Sequence, residues 1–452
     1  MAEENDAEGL TSARADGNSA QRDRIVVRHI VAATIGNALE FYDFITYSFF
    51  AIQIGHTFFP QTGAYASLML SLATFGAGFI TRPIGGIVIG AYSDRVGRRP
   101  AMMLSFMMMG SAIVVMALIP SYAQIGIWAP VLAVAARMVQ GFSLGGEVGP
   151  TTAYLLESAP AKRRGLAVSW QAASQGIAAM TASLVGFGLA ATLSASALSS
   201  YGWRIAFLLG AVTLPFGLWI RRNIPETLHE PETHTVSASQ AVGAMAVLRE
   251  NMRVIVLGLV VLASGTIATY VFNYIATFAQ GTLKMSPTAA FAGSVVQNAV
   301  AVVAVLVGGW LSDRIGRRPV MIVPRLAVLV LLIPVFQWVV DSRSALALIV
   351  GPSLVSAIGG ISGGAFYAAL SESLPKRVRG SAFATVYAFS IAIFGGSTQL
   401  VITWLIHVSG SPMAPAYYLL VAYAAGTVAI ALILESAPSR AVAKAVLVPE
   451  VR

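Results

Sequence analysis

The stretch Ser93–Pro100, which reads SDRVGRRP, decides how the rest of the chain is interpreted, because it occurs twice. Its second copy, Ser312–Pro319, reads SDRIGRRP and begins 219 residues later, close to half of the 452-residue chain. A second pair of similar segments, Glu157–Gly165 and Glu372–Gly380, follows the two copies at nearly equal distances. Two repeats with nearly the same spacing predict two homologous halves.

Each copy combines one glycine, which permits a tight connection, with arginines that favour the lipid headgroups. The aspartates Asp94 and Asp313 can accept hydrogen bonds from a helix N-terminus or pair with an arginine. The alternative is a charged loop that only fixes membrane orientation. Orientation requires positive charge, however, and not a repeated Asp-Arg-x-Gly-Arg-Arg sequence.

The composition predicts a polytopic membrane protein. Hydrophobic residues make up 56% of the chain and charged residues only 11%, whereas soluble proteins carry roughly a quarter charged residues. The formal net charge of +9 is attributed to loop arginines that face an anionic leaflet, so no nucleic-acid partner is predicted. The chain has no cysteine, its five histidines are scattered, and it carries no nucleotide-binding loop or hydrolase motif. We therefore predict no metal, no cofactor and no enzymatic activity.

Twelve apolar segments are long enough to cross a bilayer, six on each side of a polar linker. The predicted fold class is an all-α membrane protein with twelve transmembrane helices in two pseudo-symmetric six-helix bundles. The predicted parts are a disordered cytoplasmic tail (1–27), an N-terminal bundle (28–221), a cytoplasmic linker (222–250), a C-terminal bundle (251–436) and a cytoplasmic tail (437–452).

Basic residues in the connections set the orientation. They fall on one side of the predicted membrane, while the other side offers little beyond Lys284 and Arg343. The positive-inside rule places both termini and the linker in the cytoplasm. The basic residues of the cytoplasmic side are Arg22, Arg24, Arg28, Arg95, Arg98, Arg99, Lys162, Arg163, Arg164, Arg221, Arg222, Arg314, Arg317, Arg318, Lys376, Arg377, Arg379, Arg440 and Lys444.

With its paired loops and twelve spans, the chain resembles the major facilitator superfamily. Narrower motifs follow along the chain, namely Gly36–Phe44, Arg82–Gly86, Gln140–Glu147 and Gly202–Arg204, and further His56–Pro60, Ile125–Pro130, Ser169–Gln171 and Phe394–Gly396. Through the first four the chain is similar to the metabolite:proton symporters of that superfamily, and through the last four it is most similar to bacterial citrate–proton symporters. The resemblance implies that a carboxylate, citrate or a related tri- or dicarboxylate, is imported together with protons across a bacterial inner membrane, by alternating access to a central site.

Ionisable residues inside a span are expensive to insert, so each is a candidate functional residue. In the first span Asn37, Glu40 and Asp43 recur every three residues and therefore share one side of a helix. Burial favours the neutral form of a carboxylate and a nearby arginine favours its charged form. We predict that Glu40 and Asp43, with Glu147 of the fourth span, couple protons to transport. The alternative for Glu40 and Asp43 is a fixed structural ion pair, and for Glu147 it is a bond to Arg137 or to a backbone group.

Arg82 in the second span and Arg137 in the fourth each require a carboxylate partner, because an unpaired guanidinium is unfavourable in hydrocarbon. The planar fork of arginine suits a multiply charged carboxylate. We expect both groups to face an aqueous chamber shared by the two halves, where substrate displaces an acid of the first span. The alternative is a permanent pairing with such an acid.

Neutral polar residues, among them Asn37 of the first span, complete the predicted substrate site. Gln171 and Gln175 lie one turn apart on the fifth span and can orient carboxylates or join helices. The second half supplies aromatic and amide groups, of which Tyr270 and Asn273 are predicted to bind substrate. Arg325 lies only about 9 Å along its helix from Pro319, and we expect it to reach the cytoplasmic interface.

The repeated loops are predicted to close the cytoplasmic side when the opposite side is open. Replacement of Asp94 by Asn should slow transport without much loss of folding. The predicted gate residues are Asp94, Arg95, Arg98, Glu157, Asp313, Arg314, Arg317 and Glu372.

Three alternatives remain open at the level of the sequence. The substrate could be another small solute, such as 2-oxoglutarate, shikimate, or a zwitterion such as proline or betaine. The chain could be a membrane receptor that does not transport. Proton-driven drug export is disfavoured, because two intramembrane arginines suit anions better than lipophilic cations. We predict a monomer whose partners are the substrate, protons and lipid.

Overall fold

The computed structural model describes residues 34–39, 41–60, 63–145, 152, 155–156, 159–222, 252–373 and 386–432. These residues form twelve helical spans, six in each half of the chain. In the first half they are α1 (34–39, 41–49 and Ala51–Phe58), α2 (Gly63–Ile80 and Arg82–Val96), α3 (Arg98–Leu118), α4 (Trp128–Leu144), α5 (Arg164–Thr192) and α6 (Trp203–Arg222). In the second half they are α7 (Met252–Asn273 and Ile275–Gly281), α8 (Pro287–Ile315), α9 (Arg317–Ser342), α10 (Ala345–Ser373), α11 (386–390, Ile391–Gly395 and Gly396–Ser409) and α12 (Ala414–Leu432).

The lengths and compositions of these helices fit a membrane protein. Within the described residues, eight helices are long and apolar enough to cross a bilayer, and two shorter apolar helices lie in α3 and α4. The predicted all-helical fold class is confirmed. The tails 1–27 and 437–452 and, apart from Arg222, the linker 222–250 lie outside the described residues, so the domain boundaries stay predictions.

The two copies of the repeated loop adopt the same backbone conformation. α2 ends at Val96 and α3 begins at Arg98, and the glycine between them, Gly97, has φ 115° and ψ 156°. In the second copy Gly316, between α8 and α9, has φ 103° and ψ 160°. Only glycine adopts this region readily. The repeat in the sequence is therefore also a repeat of a sharp connection between consecutive spans.

Glycines bring α2 and α4 into backbone contact. A Cβ atom at Gly141 would overlap the carbonyl oxygen of Gly78, and one at Gly145 would overlap the carbonyl oxygen of Arg82. Transmembrane helices use small residues in this way, because close packing replaces the hydrophobic effect inside lipid. The second half repeats the arrangement, since a Cβ atom at Gly364 of α10 would overlap the carbonyl oxygen of Val305 in α8.

The halves meet chiefly where α5 packs along α8, and also where α2 packs against α11. Near the repeated loop, Gly165 of α5 lies against Gly309 of α8, whose carbonyl oxygen would be 2.5 Å from a Cβ atom at Gly165. These contacts enclose the space between the two bundles.

Candidate functional site

A cavity of about 200 Å³ lies between the halves. Its wall is built from α1 and α5 of the first half and from α7 to α12 of the second. Three of the predicted substrate residues, Gln175, Tyr270 and Asn273, line it. The other polar side chains on its wall are Thr266, Thr269, Gln297, Asn298, Arg325, Ser356, Tyr367 and Tyr423.

The expectation that Arg325 extends to the cytoplasmic interface is wrong. Its side chain is 4% exposed and lies on the cavity wall, where it is the one charged residue among the described lining residues. Nε donates to Ser362 Oγ at 3.1 Å, and Nη1 donates to Ser264 Oγ at 2.9 Å. Gly426 of α12 leaves room for the guanidinium, because a Cβ atom there would overlap Nη1. The sequence holds no local signal for this arrangement, since these residues lie on four different helices.

Arg82 and Arg137 do not line the cavity, which differs from the expectation that both face a shared aqueous chamber. Their exposed fractions are 5% and 0%, and aromatic rings enclose them. The Phe44 ring centroid lies 4.3 Å from Cζ of Arg82 and 4.2 Å from Cζ of Arg137. The Phe79 ring centroid lies 4.4 Å from Cζ of Arg82, and the Tyr47 ring centroid lies 4.6 Å from Cζ of Arg137. Aromatic faces attract desolvated cations, so the rings take the place that water would have in a chamber.

The two buried arginines retain unused hydrogen-bonding groups. Among the described residues, Nε and Nη2 of Arg82 and Nε and Nη2 of Arg137 have no hydrogen-bond partner, while Nη1 of Arg137 donates to Gln140 Oε1. Buried polar groups without partners are rare, and each needs a physical reason. Binding of an anion at this site would explain the unpaired nitrogens, because a carboxylate can accept the hydrogen bonds that they donate.

Only one layer of side chains separates Arg82 from the cavity. Phe41 and Tyr270 both line the cavity. The Phe41 ring centroid is 6.0 Å from Cζ of Arg82, and the Tyr270 side chain interacts with the same guanidinium. The Tyr270 ring also contacts Phe79, with centroids 5.4 Å apart. A change in the orientation of Phe41 or Tyr270 would therefore open a path between Arg82 and the cavity.

Asp43 is buried close to the arginines. It is 2% exposed, and its Oδ1 has no hydrogen-bond partner within the part of the chain that the structure describes. Arg137 acts on it electrostatically. The carboxylate lies against Gly210 of α6, where a Cβ atom would overlap Oδ1. Glu40 and Glu147, the other predicted proton-coupling residues, lie outside the described residues.

Asn37 and Gln171 join α1 to α5 and do not line the cavity. Asn37 Nδ2 donates to Ser174 Oγ at 2.6 Å, and Gln171 Nε2 donates to Asn37 Oδ1 at 3.2 Å. For Gln171 these bonds fit the alternative role, hydrogen bonding between helices, and the substrate-binding roles of Asn37 and Gln171 stay predictions. Gln175, one turn further along α5, instead donates across the halves to the Tyr387 hydroxyl at 3.3 Å.

The second copy of the repeated loop contacts both halves. Asp313 accepts hydrogen bonds from the backbone N–H groups of Gly165 (2.8 Å) and Leu166 (2.9 Å) at the N-terminus of α5. Arg317, 1% exposed, pairs with Asp313 at 2.7 Å and with Glu372 through two bonds of 3.0 and 3.1 Å. The aspartate therefore caps a helix and pairs with an arginine at the same time.

Other predicted gate residues have different surroundings. Glu372 bonds to Arg317 within the second half, and its part in closing the cytoplasmic side stays a prediction. Arg314 is exposed and lies over the Trp310 ring of its own helix at 4.0 Å, and Arg95 is also exposed. Glu157 and the side chains of Asp94 and Arg98 lie outside the described residues.

Comparison with known proteins identifies the family. Residues 33–397 match the family model of the Major Facilitator Superfamily. The chain belongs to this superfamily. A citrate-proton symporter of Klebsiella pneumoniae is 39% identical over 402 residues, which cover 88% of this chain and 90% of that protein. An alpha-ketoglutarate permease of Escherichia coli (strain K12) is 34% identical over 384 residues, covering 82% of this chain and 85% of that protein.

Solved structures agree with the superfamily assignment. The crystal structure of a D-xylose-proton symporter superposes with a TM-score of 0.73 and 20% identity, and the match covers 90% of this chain and 97% of that chain. At this identity the likeness concerns the fold alone. As a superfamily member whose relatives are named as transporters, the chain is a multi-pass membrane transporter and not an enzyme.

Proposed function

We propose that this transporter imports a small carboxylate, citrate or a related tri- or dicarboxylate, together with protons. The observation that carries the proposal is the pair of buried guanidinium groups of Arg82 and Arg137, which keep nitrogens without hydrogen-bond partners among the described residues. Arg82 lies one side-chain layer from the cavity, and Arg325 lines it. Three arginines near one cavity match the several negative charges of such a substrate. The relatives that are named for citrate and alpha-ketoglutarate support the same substrate class.

Substrate entry would bring a carboxylate to the Arg325 side of the cavity first. Rotation of Tyr270 or Phe41 would then let a second carboxylate reach Arg82, where the planar fork can form two parallel bonds. Arg137 lies beside the same Phe44 ring and adds positive charge in a site of low dielectric constant, where charges interact more strongly than in water. Gln175 and Asn273 would orient the remaining oxygens.

Proton coupling would depend on Asp43, with Glu40 and Glu147 as further candidates. Burial favours the protonated form of the Asp43 carboxylate, whose Oδ1 has no hydrogen-bond partner among the described residues, and the positive charge of Arg137 opposes this effect. A substrate anion that binds the same arginines weakens the effect of Arg137, so the carboxylate takes up a proton when substrate is present. Proton and substrate would then cross together as the two halves rock about the central site.

The orientation and assembly follow from the same proposal. Both termini face the cytoplasm of a bacterial cell, the protein resides in the inner membrane, and one chain forms the complete transport path. The basic loops on one side of the described helices support this orientation.

A substrate panel in proteoliposomes tests the proposal. With an acidic exterior, radiolabelled citrate should accumulate, an uncoupler should abolish accumulation, and unlabelled citrate or 2-oxoglutarate should compete. The Arg137→Gln variant should lose uptake, while Arg253→Gln, at an exposed arginine, should retain it. Citrate uptake that is absent, or that is indifferent to the pH gradient, would contradict the proposal.

One observation favours a second candidate, a quaternary amine such as betaine. Tyr270, Phe366, Tyr367 and Tyr423 line the cavity, and aromatic faces bind such cations. Competition in the same panel separates the candidates, because betaine would then displace the labelled solute and citrate would not.

A further inference from the structure

A second and larger cavity, of about 580 Å³, opens on the face of the membrane opposite the repeated loops. We call it the outer vestibule. It lies between α1 and α2 of the first half and α7, α8 and α11 of the second. Three of its lining residues carry basic side chains, namely His56, Lys284 and His407, and all three are exposed. None of the described residues that line it is an aspartate or a glutamate.

Lys284 occupies a backbone position that favours glycine. Its φ is 57°, in the left-handed region, which a residue with a Cβ atom adopts only at a cost in free energy. Two hydrogen bonds hold the chain there as it turns away from α7, from Leu283 N to the Phe278 carbonyl at 3.1 Å and from Met285 N to the Ala279 carbonyl at 2.9 Å. A strained lysine at the mouth of a cavity is a reason to look for a function of its charge.

The vestibule also lies where the two halves contact each other on this face. The Tyr65 and His407 rings stack with centroids 3.7 Å apart and an interplanar angle of 15°. Gln53 Nε2 donates to Gln280 Oε1 at 3.1 Å. Each contact joins the first half to the second, so a solute that enters from this side meets the vestibule before it reaches the central cavity.

We propose that the outer vestibule is an external collecting site for carboxylate anions, with Lys284 as its fixed positive charge. The inference rests on the proposed function. A concave site lined by basic groups, without acidic neighbours among the described residues, raises the local concentration of anions and so increases the rate at which they reach the transport site. Such a site contributes to the apparent affinity for external substrate and not to the rate of the transport step.

The test exploits the strain at Lys284. Lys284→Gly removes the charge and relieves the backbone, so the variant should fold at least as well as the wild type. At low ionic strength the external KM for citrate should rise roughly three- to tenfold with an unchanged maximal rate, and the difference should shrink in high salt. Lys284→Arg should behave like the wild type.

Arg343 offers a matched control. It is an exposed basic residue on the same face with φ 45°, and it does not line the vestibule. Arg343→Gly should therefore leave the external KM unchanged. An unchanged KM in Lys284→Gly, or an equal rise in Arg343→Gly, would overturn the proposal.

A measurement independent of transport separates this inference from the proposed function. In right-side-out vesicles, external citrate should protect Lys284 from a membrane-impermeant amine reagent, as read by mass spectrometry, whereas betaine should not. Protection without citrate uptake would retain the vestibule and overturn the proposed function. Citrate uptake without protection of Lys284 would retain the proposed function and overturn the vestibule proposal. If citrate is neither taken up nor protective, both proposals are overturned.

Discussion

At the scale of single residues, three buried arginines differ in what surrounds them. Arg82 and Arg137 are held by aromatic rings and keep nitrogens without partners among the described residues. Arg325 instead donates to Ser264 and Ser362, lies 5.3 Å from the Tyr423 ring centroid and lines the cavity. These neighbours are neutral, so no described carboxylate pairs with Arg325. Of the three, Arg325 is therefore the arginine most directly available to a substrate in this conformation.

Arg325→Gln should therefore raise the KM for citrate by roughly tenfold or more, because a hydrogen bond to a charged group contributes about 1.5–3 kcal/mol. The glutamine amide can still donate to a serine, so the melting temperature in detergent should change little. Citrate-dependent uptake and thermal unfolding measure the two effects. A KM equal to that of the wild type would remove Arg325 from the substrate site.

At the scale of helices, backbone contact between α2 and α4 brings Arg82 and Arg137 together around one phenylalanine ring. Gly141 and Gly78 make the closest approach. Any side chain at Gly141 must separate the two helices, and that separation would be transmitted to both arginines. The glycines therefore support the candidate site without touching a substrate.

Gly141→Ala should destabilise the protein by about 1–3 kcal/mol, as overpacking does in well-packed cores, and should also lower the apparent affinity for citrate. Gly188→Ala is the matched control, because Gly188 lies in α5 and a Cβ atom there would have no neighbour within 4 Å. It should be neutral or stabilising by up to about 1 kcal/mol. Melting temperatures in detergent compare the two, and equal values would contradict the packing argument.

At the scale of the whole molecule, Asp313 connects the halves near the repeated loop by capping α5 with both carboxylate oxygens. A small buried cluster also joins the halves, in which Leu155, Leu156 and Val168 of the first half pack against Ala368 of the second. Opening of the cytoplasmic side would have to break the cap and expose this cluster.

Asp313→Asn should favour opening on that side, because a neutral amide forms weaker hydrogen bonds than a carboxylate. Since the chain has no cysteine, a single Val168→Cys substitution can report on opening. Its labelling by a maleimide from the cytoplasmic side should become several-fold faster in the Asp313→Asn background. Arg253→Gln, at an exposed arginine outside the predicted gate, should leave labelling unchanged; equal rates in all three proteins would argue against the gate.

The amino-acid sequence by itself determined the class of protein, the helical spans and the repeated loop. Those properties are local, because hydropathy over about 20 residues predicts a span and a glycine between charged residues predicts a sharp connection. The sequence also indicated that Arg82, Arg137 and Asp43 lie inside the bundle, since each is costly in lipid.

Only the tertiary structure decided which charged groups reach the cavity. Arg325 lies on the wall because Ser264, 61 residues away, and Ser362, 37 residues away, bond to it, while Gly426 leaves it space. Arg82 and Arg137 lie behind the wall because rings from α1, α2 and α7 close over them. Helix rotation and contacts between distant segments determine such positions, and no periodicity within a single span encodes them.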